Sequence, residues 1–102
     1  MQQQERGNTM QVFKDYTGRE VRLTDERLHG HIAVEHPQVL RIDKGFELTL
    51  ADPIMTRIDE NDNEVEIYYR QFNRTWMVVA VVHKEDDSFI ATSYITSRRP
   101  RI

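Results

Sequence analysis

The residues of this chain best suited to acid–base or anion chemistry are four histidines and two strand pairs. His29, His31 and His36 lie in one short segment, and His83 ends an apolar run. Imidazole titrates near neutral pH, so it can move a proton, hold a metal or contact a phosphate. Thr92 and Tyr94 are two apart, as are Tyr68 and Arg70, so on strands each pair shares a face. A phenol donates a hydrogen bond, and a guanidinium matches carboxylate or phosphate in two-point contact. Each residue also has a plainer role. His36 can cap a helix end, Thr92 and Tyr94 are ordinary strand residues, and Arg70 can pair with an acid such as Glu66. On a helix His29 and His31 point about 200° apart, and His31 and His36 about 140°. The first pair cannot share an ion without unwinding at Gly30, while His29 and His36 lie nearly in register. No metal and no cofactor is expected.

These residues need elements to hold them. Residues 1–10, with a glutamine run, read as a loose arm. Val12 to Leu23, broken by Thr17-Gly18, reads as a hairpin. Thr24-Asp25-Glu26 is a helix start, and the residue before Pro37 ends that helix at His36. A second helical stretch runs from Val39 to Leu50 and closes at Asp52-Pro53. The pattern then alternates. Strands are expected over 54–58, 64–70, 76–82 and 89–96, separated by polar turns. The run from Trp76 to Val82 is apolar on both faces and should be central. Which face carries Thr92 and Tyr94 stays open, because one bulge inverts it. The expected architecture is α+β: an N-terminal hairpin and two helices packed on a four-stranded antiparallel sheet, with one face open. Residues 11–97 form the single domain, and 98–102 a basic tail.

Length and composition bound the rest. One domain of 102 residues, 38% hydrophobic and 30% charged, can bury a single core. With no cysteine, disulfides and thiolate metal sites are excluded. No spanning apolar run and no signal-peptide pattern is read, which predicts a cytoplasmic protein without a membrane. The net charge of −3 argues against a general polyanion binder. Yet eleven arginines stand against three lysines, which leaves room for a local phosphate site. The glycines are scattered and no serine sits in a nucleophile elbow, so nucleotide-dependent and serine-hydrolase chemistry are not expected.

The order of segments carries a resemblance. An extended piece with Gly18-Arg19, the Leu23-Thr24 helix start, His31-Ile32 with His36-Pro37, the exit at Leu50, Asp52 and Pro53, a central apolar strand and a final strand with Thr92-x-Tyr94 resemble phage-type domains of the barnase–EndoU–colicin–RelE-like ribonuclease superfamily. The helix, reading His29-Gly30-His31, is one residue longer than the tight form of that motif, and Ser93 stands where a small alanine is common. The resemblance implies a RelE- or barnase-like fold and metal-independent RNA cleavage by attack of the 2′-hydroxyl on the adjacent phosphate. It implies His31, His36, Thr92 and Tyr94 as catalytic candidates. Arg70, chosen by strand position, is the candidate phosphate clamp, with His29 and Tyr68 as further substrate contacts. RNA is the implied partner. A toxin or RNA-processing role, with a protein inhibitor or antitoxin, would fit such a domain, as would an inactive interaction module on the same fold. Sheet edges would also allow a homodimer.

Overall fold

The computed structural model describes residues 10–101. Of the arm read over 1–10, only Met10 falls within the described residues, and it begins β1 (Met10–Lys14), which pairs antiparallel with β2 (Glu20–Thr24). Gly18 in the connecting turn has φ +89°, a left-handed conformation that glycine adopts without steric cost. Thr24 turns the chain into a helix: its Oγ1 accepts from the Arg27 N–H at 3.1 Å, with Asp25 and Glu26 at the positive end of the dipole.

This first helix, residues 25–35, is α-helical at Asp25–Arg27, π-helical at Leu28–Ile32 and α-helical again at Ala33–Glu35. A π turn holds one residue more than an α turn. Leu28 and Ile32, at its two ends, both stay in the core. The helix stops at His36, φ −138°, in front of Pro37. The expected stretch from Val39 to Leu50 is two pieces, a 3-10 turn over Pro37–Arg41 and a second helix, Gly45–Ala51. They are separated by Lys44 at φ 56°. A Cβ on Gly45 would lie 2.7 Å from Met77 Sδ and 3.1 Å from Ile42 Cγ2, so glycine allows the second helix to sit down on the strand that carries Met77.

Four strands follow: β3 (Met55–Ile58), β4 (Val65–Phe72), β5 (Thr75–Lys84) and β6 (Asp87–Thr96). The sheet order is β1-β2-β6-β5-β4-β3. The four-stranded antiparallel sheet with two packed helices is therefore corrected. The sheet has six strands and is mixed, and its helices are short. The hairpin does not pack as a separate piece. It joins the sheet because β2 runs parallel to β6 through one pair, Arg22 with Phe89. That contact is reinforced where the Arg22 fork donates to both Asp87 carboxylate oxygens at 2.8 Å and lies 5.1 Å over the Phe89 ring. An isolated hairpin is marginal, and an unpaired β6 edge is a liability, so joining satisfies both.

The helices cover one face. Val21, Leu23, Leu28, Ile32, Val39, Leu50, Tyr68, Met77, Val79, Val81 and Ile90 form its core. The opposite, outer face carries a smaller cluster of Tyr69, Trp76 and Val78, flanked by Met55 and Ile67. A bulge sorts β6 between them. Ile90 pairs with Val81 and Thr92 with Ala80, leaving Ala91 as the extra residue. Ile90 consequently enters the core, while Thr92 and Tyr94 turn to the outer face beside Ala80 and Val78.

The two helical glycines should respond oppositely to alanine. At Gly30 the nearest atom to a new Cβ is Glu26 Cγ at 3.9 Å, so Gly30→Ala should stabilise by up to about 1 kcal/mol. Gly45→Ala should cost about 1–3 kcal/mol by overpacking against Met77 and Ile42. Urea unfolding of the two variants measures both, and equal shifts would contradict this packing.

Candidate functional site

Two polar places stand out, one on each side of the sheet. On the outer face, Tyr94 projects from β6 and is 38% exposed. Beyond its single pair with β2, the second half of β6 has the first helix and the 3-10 turn alongside it instead of a strand. His36, released from helical geometry by Pro37, therefore comes round the free edge, and its ring centroid lies 5.8 Å from that of Tyr94. Tyr94 also walls a hollow of about 210 Å³, bordered by Arg57, Tyr69, Val78, Thr96 and the tail from Arg98 to Arg101. Arg57 stands over the Tyr69 ring at 5.9 Å. Among the described residues no carboxylate borders this hollow, and Arg57, Arg98, Arg99 and Arg101 form no ion pair. Burial pushes the Tyr94 phenol above its ordinary range, helped by Tyr69 and opposed by Arg57. Near neutral pH it remains a hydrogen-bond donor.

The second place is buried under the hairpin turn. Although β1 and β2 sit at one end of the strand order, their turn reaches back over the covered face to β4 and β3. The Tyr16 hydroxyl donates to Glu66 Oε2 at 2.9 Å and lies 3.5 Å from Thr56 Oγ1. Asp15 Oδ1 accepts from the Thr17 N–H and hydroxyl and from the Arg19 N–H. Asp15 Oδ2 accepts from the Arg19 guanidinium at 3.0 Å and Tyr68 OH at 2.7 Å. Glu66 Oε1 lies 3.2 Å from Arg19 Nη2, 3.0 Å from Tyr68 OH and 2.9 Å from His83 Nε2. A carboxylate only accepts, so His83 carries a hydrogen on Nε2, and its Nδ1 lies 2.7 Å from Ser88 Oγ.

Burial raises the Asp15 carboxyl, but hydrogen bonds from Thr17, Tyr68 and Arg19 outweigh it and hold the group well below the usual range. At Glu66, too, burial is outweighed, here by bonds from Tyr16, Thr56, Tyr68 and His83, and the pKa is lowered. Burial and the two carboxylates push Tyr68 far up. Asp15, Glu66 and His83 offer three ligand atoms within 4.8 Å of one another, the spacing of a cation site. The Arg19 guanidinium, bonded to both carboxylates, already supplies the positive charge.

The expected site residues divide between these places and others. His36, Thr92 and Tyr94 belong to the outer face or its edge, although Thr92 does not border the hollow. Tyr68 is fully buried in the network. Arg70 faces the covered side opposite Met77, where its Nη1 donates to the Asp52 carbonyl at 2.7 Å and lies 3.0 Å from Asp52 Oδ2, closing the end of the second helix. Arg57, in the neighbouring strand, is the arginine on the Tyr94 face. His29 and His31 pair with acids one turn away, Asp25 at 3.3 Å and Glu35 at 3.8 Å.

Sequence reasoning did not bring Asp15, Glu66 and His83 together. A signal for them existed: Glu66, Tyr68 and Arg70 share one face of a strand whose other face carries Val65, Ile67 and Tyr69. Burying the polar face requires a partner layer, and the hairpin turn supplies it.

The network makes stability depend on acid. Asp15 and Glu66 have lowered folded values, so their contribution is complete above the unfolded carboxylate range of about 4 and is lost as pH falls through the folded values. The urea midpoint should fall between pH 6 and pH 3. Glu66→Gln should be weaker by about 1–3 kcal/mol at pH 6 and decline less steeply in acid; parallel declines would contradict this account.

Among the described residues, no helix is long and apolar enough to cross a membrane. No family model, no curated protein and no solved structure matches the chain.

Proposed function

We propose that the outer face binds RNA and cleaves it without a metal, by attack of the 2′-hydroxyl on the adjacent phosphate, in a cytoplasmic setting. The observation that carries the reading is the approach of His36 to Tyr94 at the edge of a hollow bordered by arginines but no carboxylate. His36 is half-buried on a helix end, accessible to substrate yet held by its neighbours. It takes the 2′-hydroxyl proton. The protonated Tyr94 phenol donates to a non-bridging phosphate oxygen, and Arg57 stabilises the charge that builds up on the phosphorane. Thr92, two residues earlier on the same face, offers a hydroxyl to the neighbouring sugar or phosphate. The leaving 5′-oxygen receives its proton from solvent or from the imidazolium formed in the first step.

A second reading, an RNA-binding module without catalysis, is favoured by one observation: of the three helix histidines, only His36 packs against Tyr94. Incubation with RNA in EDTA, followed by end analysis, separates the two. Cleavage should leave 2′,3′-cyclic phosphate ends, fall about 10²–10⁴-fold in His36→Ala, and weaken clearly in Tyr94→Phe, while Arg70→Ala should affect stability and not rate per folded molecule. Binding without cyclic ends would favour the module. Cleavage unaffected by His36→Ala and Tyr94→Phe together would remove the outer-face site.

A further inference from the structure

The tail is part of the site rather than a trailing end. We infer that Arg98, Arg99 and Arg101, with Arg57, form a clamp for several phosphates, so that the ligand of the outer face is a run of single-stranded RNA and not one nucleotide. The inference rests on the RNA reading above and concerns how much of the strand is held.

The placement is specific. β6 ends at Thr96, whose Oγ1 accepts from the Arg98 N–H at 3.1 Å and turns the chain. Pro100 is half-buried against the hollow, which seats the tail on the sheet that carries Tyr69, Val78 and Tyr94. The tail guanidinium groups are exposed, and the acids that neutralise Arg19, Arg22 and Arg70 have no counterpart here among the described residues. In a chain of net charge −3, gathering unneutralised arginines on one face costs self-repulsion that a polyanion relieves. The arginines share the hollow with the exposed Tyr94 ring, while Tyr69 lies buried beneath Arg57. Guanidinium groups for phosphates beside ring faces for bases are the combination that single strands use. A duplex hides its base faces, and an anionic membrane or acidic peptide has no bases to stack.

For single strands, the logarithm of affinity falls with the logarithm of salt at a slope of about −0.7 per neutralised phosphate. Four arginines predict a slope of about −3, and the triple variant Arg98→Ala, Arg99→Ala, Arg101→Ala one nearer −0.7. The measurement is fluorescence anisotropy with a labelled twelve-nucleotide oligouridine across a salt series. Both proteins carry His36→Ala so that the probe survives, and circular dichroism verifies their folding. The expected result is a slope shallower by about 2 in the triple variant. An unchanged slope would overturn the clamp, as would equally tight, equally salt-dependent binding of poly-glutamate or phosphatidylserine vesicles.

Cleavage of a dinucleoside monophosphate, which spans one phosphate, tells the clamp apart from the catalytic reading. With His36 intact, the triple variant should lose far more kcat/KM on long RNA than on this one-phosphate substrate, and equal losses on both would overturn the clamp. A slope change without any cleavage would keep the clamp and discard the catalysis. Cleavage with no slope change would do the reverse.

Discussion

A single extra residue in β6 decides what each side of this molecule can do. Without the bulge at Ala91, strict alternation would place Ile90, Thr92 and Tyr94 on one face. The outer face would then receive a core isoleucine, or the core two hydroxyls. With it, Ile90 completes the apolar layer under the helices, and Thr92 and Tyr94 stand opposite Ala80 and Val78 on the other side. The intervening Ser93 faces the core, where its hydroxyl is satisfied by donating to the Val78 carbonyl at 2.7 Å. Everything on the outer face, from the ring that meets His36 to the hollow edged by the tail, uses that change of phase.

The covered side solves a different problem. β4 presents Glu66, Tyr68 and Arg70 inward, a costly choice unless each group finds partners. The hairpin turn brings Asp15, Tyr16 and Arg19 to Glu66 and Tyr68, and the end of the second helix brings Asp52 to Arg70. Those ties fasten the hairpin to the far edge of the sheet, where the single β2–β6 pair alone would leave it loosely joined. The clustering of Asp15, Glu66, His83 and Ser88 resembles a catalytic arrangement in residue types. Its groups are spent on one another, however, and its exposed members are Tyr16, Thr17 and Arg19 of the hairpin turn. Its chemistry is that of a fastening.

The contrast explains how far the sequence could be read. Signals that act within a few residues were legible: Gly18 in its turn, Thr24 as a cap, Pro37 ending the helix at His36, and the alternation of β3 to β6. Pairings across long separations were not. Nothing local announces that β2 lies parallel to β6, so the hairpin read as a piece beside a four-stranded sheet. Arg70, chosen by strand position, lies on the covered side and not beside Tyr94 for a related reason. Strand alternation says which residues share a face, but only the neighbouring layers say which face is covered. The π turn over Leu28–Ile32, which keeps both of those residues in the core, has no such local signal.

The account stands on the outer face being the working one. Its most direct test is an amide chemical-shift titration of the His36→Ala protein with a short oligouridine. The account predicts shifts concentrated at Arg57, Tyr69, Thr92, Tyr94 and residues 96–101, with those of Asp15, Glu66 and His83 unmoved. Shifts centred on the hairpin turn and Glu66, with the outer face silent, would contradict it.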